Sequence, residues 1–196
     1  MTEPRGWHWR GYLPHFDGGE VPQAVTFRLA DALPGPVLEQ MRMNATRLPV
    51  AAQANAVQQQ IDRELDRGGG SAYLREPAVA DIVRDALQWG DGQRYALHAW
   101  VVMPNHVHTL FTPLVGRALS AILHSWKSYT AHEANRLLGR QGPFWQEDYY
   151  DRFVRDVVHF HRAVSYIENN PVSAGLCDSP AAWPWSSACL REVEGH

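Results

Sequence analysis

The chain has 196 residues, 45% hydrophobic content and a formal net charge of −3, which suits one domain with extensions and a real apolar core. No run of about 18 apolar residues occurs, so no membrane-spanning helix is expected. Two cysteines, Cys177 and Cys189, are too few for a disulfide framework, and their spacing is not that of a zinc site.

The opening MTEPRGWHWRGYLPHF lacks a basic-then-apolar targeting pattern, so a cytoplasmic location is expected. Residues 1–20 are aromatic, basic and Gly-rich and read as an arm; residues 21–196 read as a single domain. Gln23–Leu29 alternates and predicts a strand. A helical pattern starts at Val37 and is interrupted by Pro49. A second, Ala/Gln-rich stretch covers Ala51–Asp66, and Gly68–Gly70 ends it. Glu76–Trp89 predicts a helix with proline in its first turn. Tyr95–Met103 and His106–Thr112 are β runs around the turn signal Pro104-Asn105 and predict a hairpin. Ala118–Leu138 predicts a long helix, Phe144–Val154 an extended segment, and Asp156–Asn169 a helix stopped by Pro171. The tail Trp183–Ser187 reads as a loop packed by tryptophans. This order fits an α+β, ferredoxin-like sandwich: an antiparallel sheet with helices packed mainly on one face, plus the arm and extra helices.

The acidic balance speaks against a broad phosphate-binding surface. Yet 17 of the 18 basic residues are arginine, the exception being Lys127. Arginine suits bidentate phosphate contacts and stacking on bases, although biased codon usage gives the same ratio.

Three groups of residues could carry chemistry. His106 and His108 stand at i and i+2 on a predicted strand, so both imidazoles share one face, with Val107 and Leu110 expected to face otherwise. Such a pair is half of a metal site, or an ordinary hydrogen-bonded pair. On the last long helix, Val157, Phe160, Val164 and Ile167 form one stripe expected to pack on the sheet. His159, Arg162, Tyr166 and Asn170 fall on the opposing polar stripe, which is also what a plain solvated face looks like. The segment FWQEDYYDRFVR interleaves Trp145, Tyr149 and Tyr150 with Arg152 and Arg155. That pattern serves single-stranded nucleic acid or simple packing equally well. Motifs for a P-loop, a nucleophile-elbow serine or a helical zinc site are absent from the sequence.

The segments WVVMPNHVHTLFTP, FWQEDYYDR and YIENNPVSAGL, in this order and spacing, resemble the REP-associated tyrosine transposases, of the His-hydrophobic-His single-tyrosine class. The opening RGYLPHFDGGEVPQAVTFRL is also similar, so the resemblance spans nearly the whole chain. It implies a ferredoxin-like catalytic domain and a metal-dependent single-stranded DNA endonuclease and strand transferase acting on hairpin DNA of repetitive extragenic palindromes. Carried over, the metal ligands are His106, His108 and Asn170, and the nucleophile is Tyr166. Tyr129 competes, but Tyr166 precedes the I-x-x-N-P segment as the family's tyrosine does. The implied cofactor is a divalent metal, Mg²⁺ or Mn²⁺. The implied partner is single-stranded or hairpin DNA, bound by a monomer or homodimer in the cytoplasm near the nucleoid and away from membranes. Candidate base contacts are Arg5, Trp7, Arg10 and His15. Candidate phosphate contacts are Lys127, Arg136, Arg152 and Arg155. The alternative is a domesticated, non-catalytic DNA-hairpin binding protein.

Overall fold

A computed structural model of the chain describes residues 6–10, 13–47 and 49–194. Its strands are β1 (Gly6–Arg10), β2 (Leu13–Asp17), β3 (Gln23–Arg28), β4 (Tyr95–Val102), β5 (His106–Pro113) and β6 (Tyr150–Phe153). Its α-helices are α1 (Gly35–Ala45), α2 (Val50–Asp66), α3 (Pro77–Trp89), α4 (Leu119–Leu137), α5 (Val157–Ser173) and α6 (Ser187–Glu194). None of the described helices is long and apolar enough to cross a membrane.

Strands β4-β5-β3-β6 form one antiparallel sheet in that order, and β1 and β2 pair separately within the N-terminal arm. The expected architecture, an antiparallel sheet with helices, is therefore the observed one. Alternation along each strand decides what each face meets. Val25, Phe27, Val107 and Phe111 enter the larger core, which α3 fills with Val79, Val83 and Leu87 and α4 with Leu119, Leu123 and Trp126. Ala99, Val101, Met103 and Leu110 join a smaller core with Val164 and Ile167 of α5. Helices α3 and α4 thus share one face, and α5 covers the other. A register shift between Leu97 and Ala99 resets the alternation of β4, so Trp100 and Val102 return to the larger core.

Several sequence expectations change. Leu110 lies on the α5 face rather than opposite the histidines, because 106, 108 and 110 share one parity. Val157 is 70% exposed, and the packed stripe of α5 begins at Phe160. Helix α5 also runs through Pro171 to Ser173. Proline removes one backbone donor, but the Ala174 amide still donates to the Asn170 carbonyl at 2.9 Å and continues the turn. The tail is more than a loop. Trp183 Nε1 donates to the Val102 carbonyl at 2.9 Å, Ser186 bridges Val101, and α6 follows.

Helix α2 shapes one wall of the candidate site. Val57, Ile61 and Leu65, spaced by four, turn into the larger core. One position further round the same helix, Gln58, Asp62 and Asp66 form a polar flank. The apolar stripe therefore fixes where that flank points.

Candidate active site

The site is built on a row that crosses the sheet. The register pairs Val101 with His108, His108 with Thr26, and Thr26 with Tyr150. Side chains in such a row emerge on one face, so β5, β3 and β6 deliver His108, Thr26 and Tyr150 to the floor of one cleft. The cleft has a volume of about 540 Å³. Helix α5 walls it with His159, Arg162 and Tyr166, α2 with Gln58 and Asp62, and Arg152 lies at its β6 side.

His106 and His108 turn to the same side, as period-2 alternation requires. Their rings pack edge to face at 4.6 Å between centroids, and their Nε2 atoms lie 3.0 Å apart. Both residues are buried, at 0% and 2% exposure. Burial pushes both imidazoles below their ordinary pKa, His106 well below, and His108 adds to the shift at His106. Both are therefore neutral near pH 7, and each carries one ring lone pair.

Where those lone pairs point is set by neighbours. His106 Nδ1 lies 2.7 Å from Asn105 Oδ1. The amide of Asn105 is itself oriented, because its Nδ2 donates to the Gly69 carbonyl at 2.9 Å. Amide oxygen only accepts, so His106 donates from Nδ1 and keeps its lone pair on Nε2. The carbonyl of Gly69 is held by the turn around it. Gly70 has φ +78°, and a Cβ there would lie 2.6 Å from the Asp31 carbonyl oxygen, so only glycine fits. His108 Nδ1 lies 2.7 Å from Thr26 Oγ1, a hydroxyl that serves either tautomer. In one tautomer His108 donates to His106. In the other, both Nε2 lone pairs face one point.

The second arrangement fits a divalent cation. Two nitrogens each about 2.1 Å from one ion, at roughly a right angle, stand close to the observed separation. Asn170 supplies a further observation: it is 2% exposed, and its Oδ1 has no hydrogen-bond partner among the described residues. It lies at the end of the buried stripe of α5 rather than on an open polar face. A buried amide oxygen without a donor is costly unless a cation or another donor meets it. Among the described residues, His, Cys, Asp and Glu side chains form no ready-made cluster of three or more suited to a metal. A complete site therefore needs an amide or a movement of a carboxylate.

Tyr166 projects from α5 into the cleft. Its ring meets His108 edge to face, with centroids 5.5 Å apart, and its hydroxyl donates to Asp62 Oδ2 at 3.0 Å. Desolvation first, and then the Asp62 carboxylate, hold the phenol far above its ordinary pKa. The competing Tyr129 is 56% exposed on α4 and lines a different cavity, with Trp89, Arg94 and Trp126.

The two aspartates of α2 were not singled out in the sequence. Asp62 accepts from Gln58 Nε2 at 2.6 Å and from Tyr166. Asp66 Oδ1 lies 3.9 Å from His106 Nε2. Burial, and then the charge of Asp62, raise the Asp66 carboxyl to about 6. Their i, i+4 spacing was readable; that α2 lays them against the histidines was not.

The other candidate contacts scatter. Arg152 lines the cleft. Arg155 stacks over Phe153 at 5.6 Å. Arg136 pairs with Glu133 at 2.7 Å on the exposed face of α4. Lys127 Nζ donates to the Gln146 and Glu147 carbonyls at 2.6 Å each, tying α4 to the segment before β6. Arg5 lies outside the described residues, as do the side chains of Trp7, Arg10 and His15.

Comparison with known proteins bears on the family and the fold. Residues 76–170, which hold both histidines, Tyr166 and Asn170, match the model of the family described as Transposase IS200 like. Over these residues, a little under half of the chain, the protein is similar to that family. The chain is 28% identical, over 94 residues, to the REP-associated tyrosine transposase of Escherichia coli strain K12. That match covers 47% of this chain and 54% of the relative, so the chain spans about half the length of the curated relative it matches. Among solved structures, that of a REP-associated tyrosine transposase bound to a REP hairpin superposes with a TM-score of 0.58 at 18% identity. The superposition covers 100% of this chain and 87% of the other. At that identity the likeness is one of fold. Helix α2 and the arm lie outside the residues matched by the family model.

Proposed function

We propose that this protein is a metal-dependent, single-tyrosine DNA endonuclease and strand transferase acting on hairpin DNA with a single-stranded flank. One observation carries the reading. The hydroxyl-bearing ring of Tyr166 packs on His108, whose Nε2 converges with that of His106 at 3.0 Å. The candidate nucleophile therefore shares the cleft with His108, and His106 stands beside His108. The relative solved with a REP hairpin supports the choice of substrate class.

In this reading His106, His108 and Asn170 would hold a divalent cation, Mg²⁺ or Mn²⁺. A cation held there would supply withdrawal of negative charge from the scissile phosphate. Tyr166 Oη attacks phosphorus in line. Its O–H bond breaks as the Oη–P bond forms, and the P–O3′ bond breaks to release a free 3′-OH. The product is a 5′-phosphotyrosine. It conserves the phosphodiester bond, so a second 3′-OH can displace Tyr166 without an external energy source. Asp62 orients the phenol before attack. Arg152 and Arg162, which both line the cleft, are the candidates to meet the DNA backbone.

The test is a trapping assay with hairpin DNA, Mn²⁺ and the full chain. The parent is expected to form a covalent protein–DNA adduct, and Tyr166→Phe none. A parent that binds the hairpin yet leaves it uncut points to the non-catalytic reading. Cut DNA without an adduct points to a hydrolase.

A further inference from the structure

The ligand set of two imidazoles and an amide is electrically neutral. Small, hard dications favour anionic oxygen ligands. Helix α2, which precedes the family-matched residues 76–170, brings Asp62 to the cleft and Asp66 beside His106. The two carboxylates differ in one respect. Both oxygens of Asp62 are engaged, Oδ1 by Gln58 and Oδ2 by Tyr166. Oδ1 of Asp66 is buried with no hydrogen-bond partner among the described residues. The basic side chains beside it on the helix are committed elsewhere: Arg63 Nε donates to the Gln59 carbonyl at 3.0 Å, and Arg67 pairs with Glu64. A carboxylate oxygen left unpaired in a buried position is costly unless a cation meets it. This one lies 3.9 Å from Nε2 of His106, the nitrogen whose lone pair Asn105 turns into the site.

We propose that Asp66 is a ligand of the divalent cation held by His106 and His108. The proposal rests on the metal-dependent reading of the cleft and deepens it: α2, outside the matched domain, completes the metal site. Val57, Ile61 and Leu65 anchor α2 in the larger core, so Asp66 is presented by a packed helix. The apolar face of α2 thereby acquires a role beyond filling the core. Its four-residue register with the core is what holds a negative oxygen beside the imidazoles.

The experiment is calorimetric titration of metal-free full chain with Mn²⁺ alone, without DNA. The parent is expected to bind one Mn²⁺, and His108→Ala none. Asp66→Asn is expected to bind at least about tenfold more weakly, a loss at the low end of what metal-site partners cause. Glu64→Gln makes the same charge change on the same helix, at a carboxylate that faces Arg67, and is expected to stay within about twofold of the parent. Asp66→Glu keeps a carboxylate and is expected to bind more tightly than Asp66→Asn. If Asp66→Asn binds like Glu64→Gln while His108→Ala loses the ion, Asp66 is not a ligand and the histidine site stands. A glutamate no better than the amide also overturns the assignment. If the parent takes up no Mn²⁺, the metal-dependent reading itself falls, and the ligand assignment falls with it.

Discussion

Oδ1 of Asn105 lies 2.7 Å from Nδ1 of His106, and that contact decides which imidazole nitrogen faces the cleft. The contact is rigid because the other end of the amide is fastened to the Gly69 carbonyl. Asn105 is fully buried, so its substitution has two separable effects. Asn105→Ala leaves Gly69 without its donor and is expected to cost roughly 1–3 kcal/mol, measurable by urea unfolding. It also frees His106 to adopt the other tautomer and is expected to weaken Mn²⁺ binding about 10- to 100-fold. ¹⁵N chemical shifts of the His106 ring check the tautomer directly. An unchanged ring spectrum in Asn105→Ala means that Asn105 does not set the tautomer.

Tyr166 and Asp62 give a second prediction. Desolvation is the larger cause of the raised phenol pKa, and the Asp62 charge the next. Asp62→Asn keeps an acceptor for the hydroxyl but removes the charge. Tyrosinate absorbance from Tyr166 is therefore expected at lower pH in this variant than in the parent, in metal-free buffer. The difference spectrum against Tyr166→Phe isolates the signal. A shift to higher pH contradicts the assigned role of the charge.

Asp66 makes stability depend on pH in an uncommon direction. Its carboxyl rises from 3.8 to about 6 on folding. Between those values the folded state binds more protons than the unfolded chain, so stability falls as pH rises through that window. Above about 6 the loss is complete. Asp66→Asn removes this component and is expected to be the more stable protein at pH 7 without metal, by roughly 1 kcal/mol after allowance for solvent screening. The advantage should disappear at about pH 3.5, below the ordinary carboxylate range. Parallel denaturant curves at the two pH values check it, and a variant less stable than the parent at pH 7 refutes it.

The arginines separate by position. Arg152 lines the cleft, whereas Arg136 is engaged with Glu133 on an exposed helix face. If the cleft holds the DNA backbone, Arg152→Ala reduces the salt dependence of hairpin binding by about one ion equivalent. Arg136→Ala is expected to leave that slope close to the parent's. Fluorescence anisotropy across a salt series measures both. Equal slopes in the parent and Arg152→Ala place the DNA elsewhere.

Local pattern was enough for much of this protein. Alternation predicted the hairpin that carries His106 and His108, and the i, i+2 rule put both rings on one face. Pro77 and the helical spacing of Val79, Val83 and Leu87 marked α3. The resemblance to a single-tyrosine transposase selected Tyr166 over Tyr129, and the two line different cavities. The end of α5 was misread because a proline in the final turn removes one hydrogen bond without ending the helix. The buried position of Asn170 was missed because a helical wheel of one segment does not know how far round the sheet reaches.

Near neighbours in sequence obey fixed periods of two or about 3.6 residues, and residues alone therefore told which side chains share a face. Whether Asp62 meets Tyr166, or Asp66 meets His106, depends on where α2 comes to rest relative to elements distant in the chain. That placement is governed by burial of Val57, Ile61 and Leu65 in a core assembled from distant strands and helices. Hydrophobic burial is non-directional, so no local spacing records it, and the acidic wall of the cleft belongs to the folded chain alone.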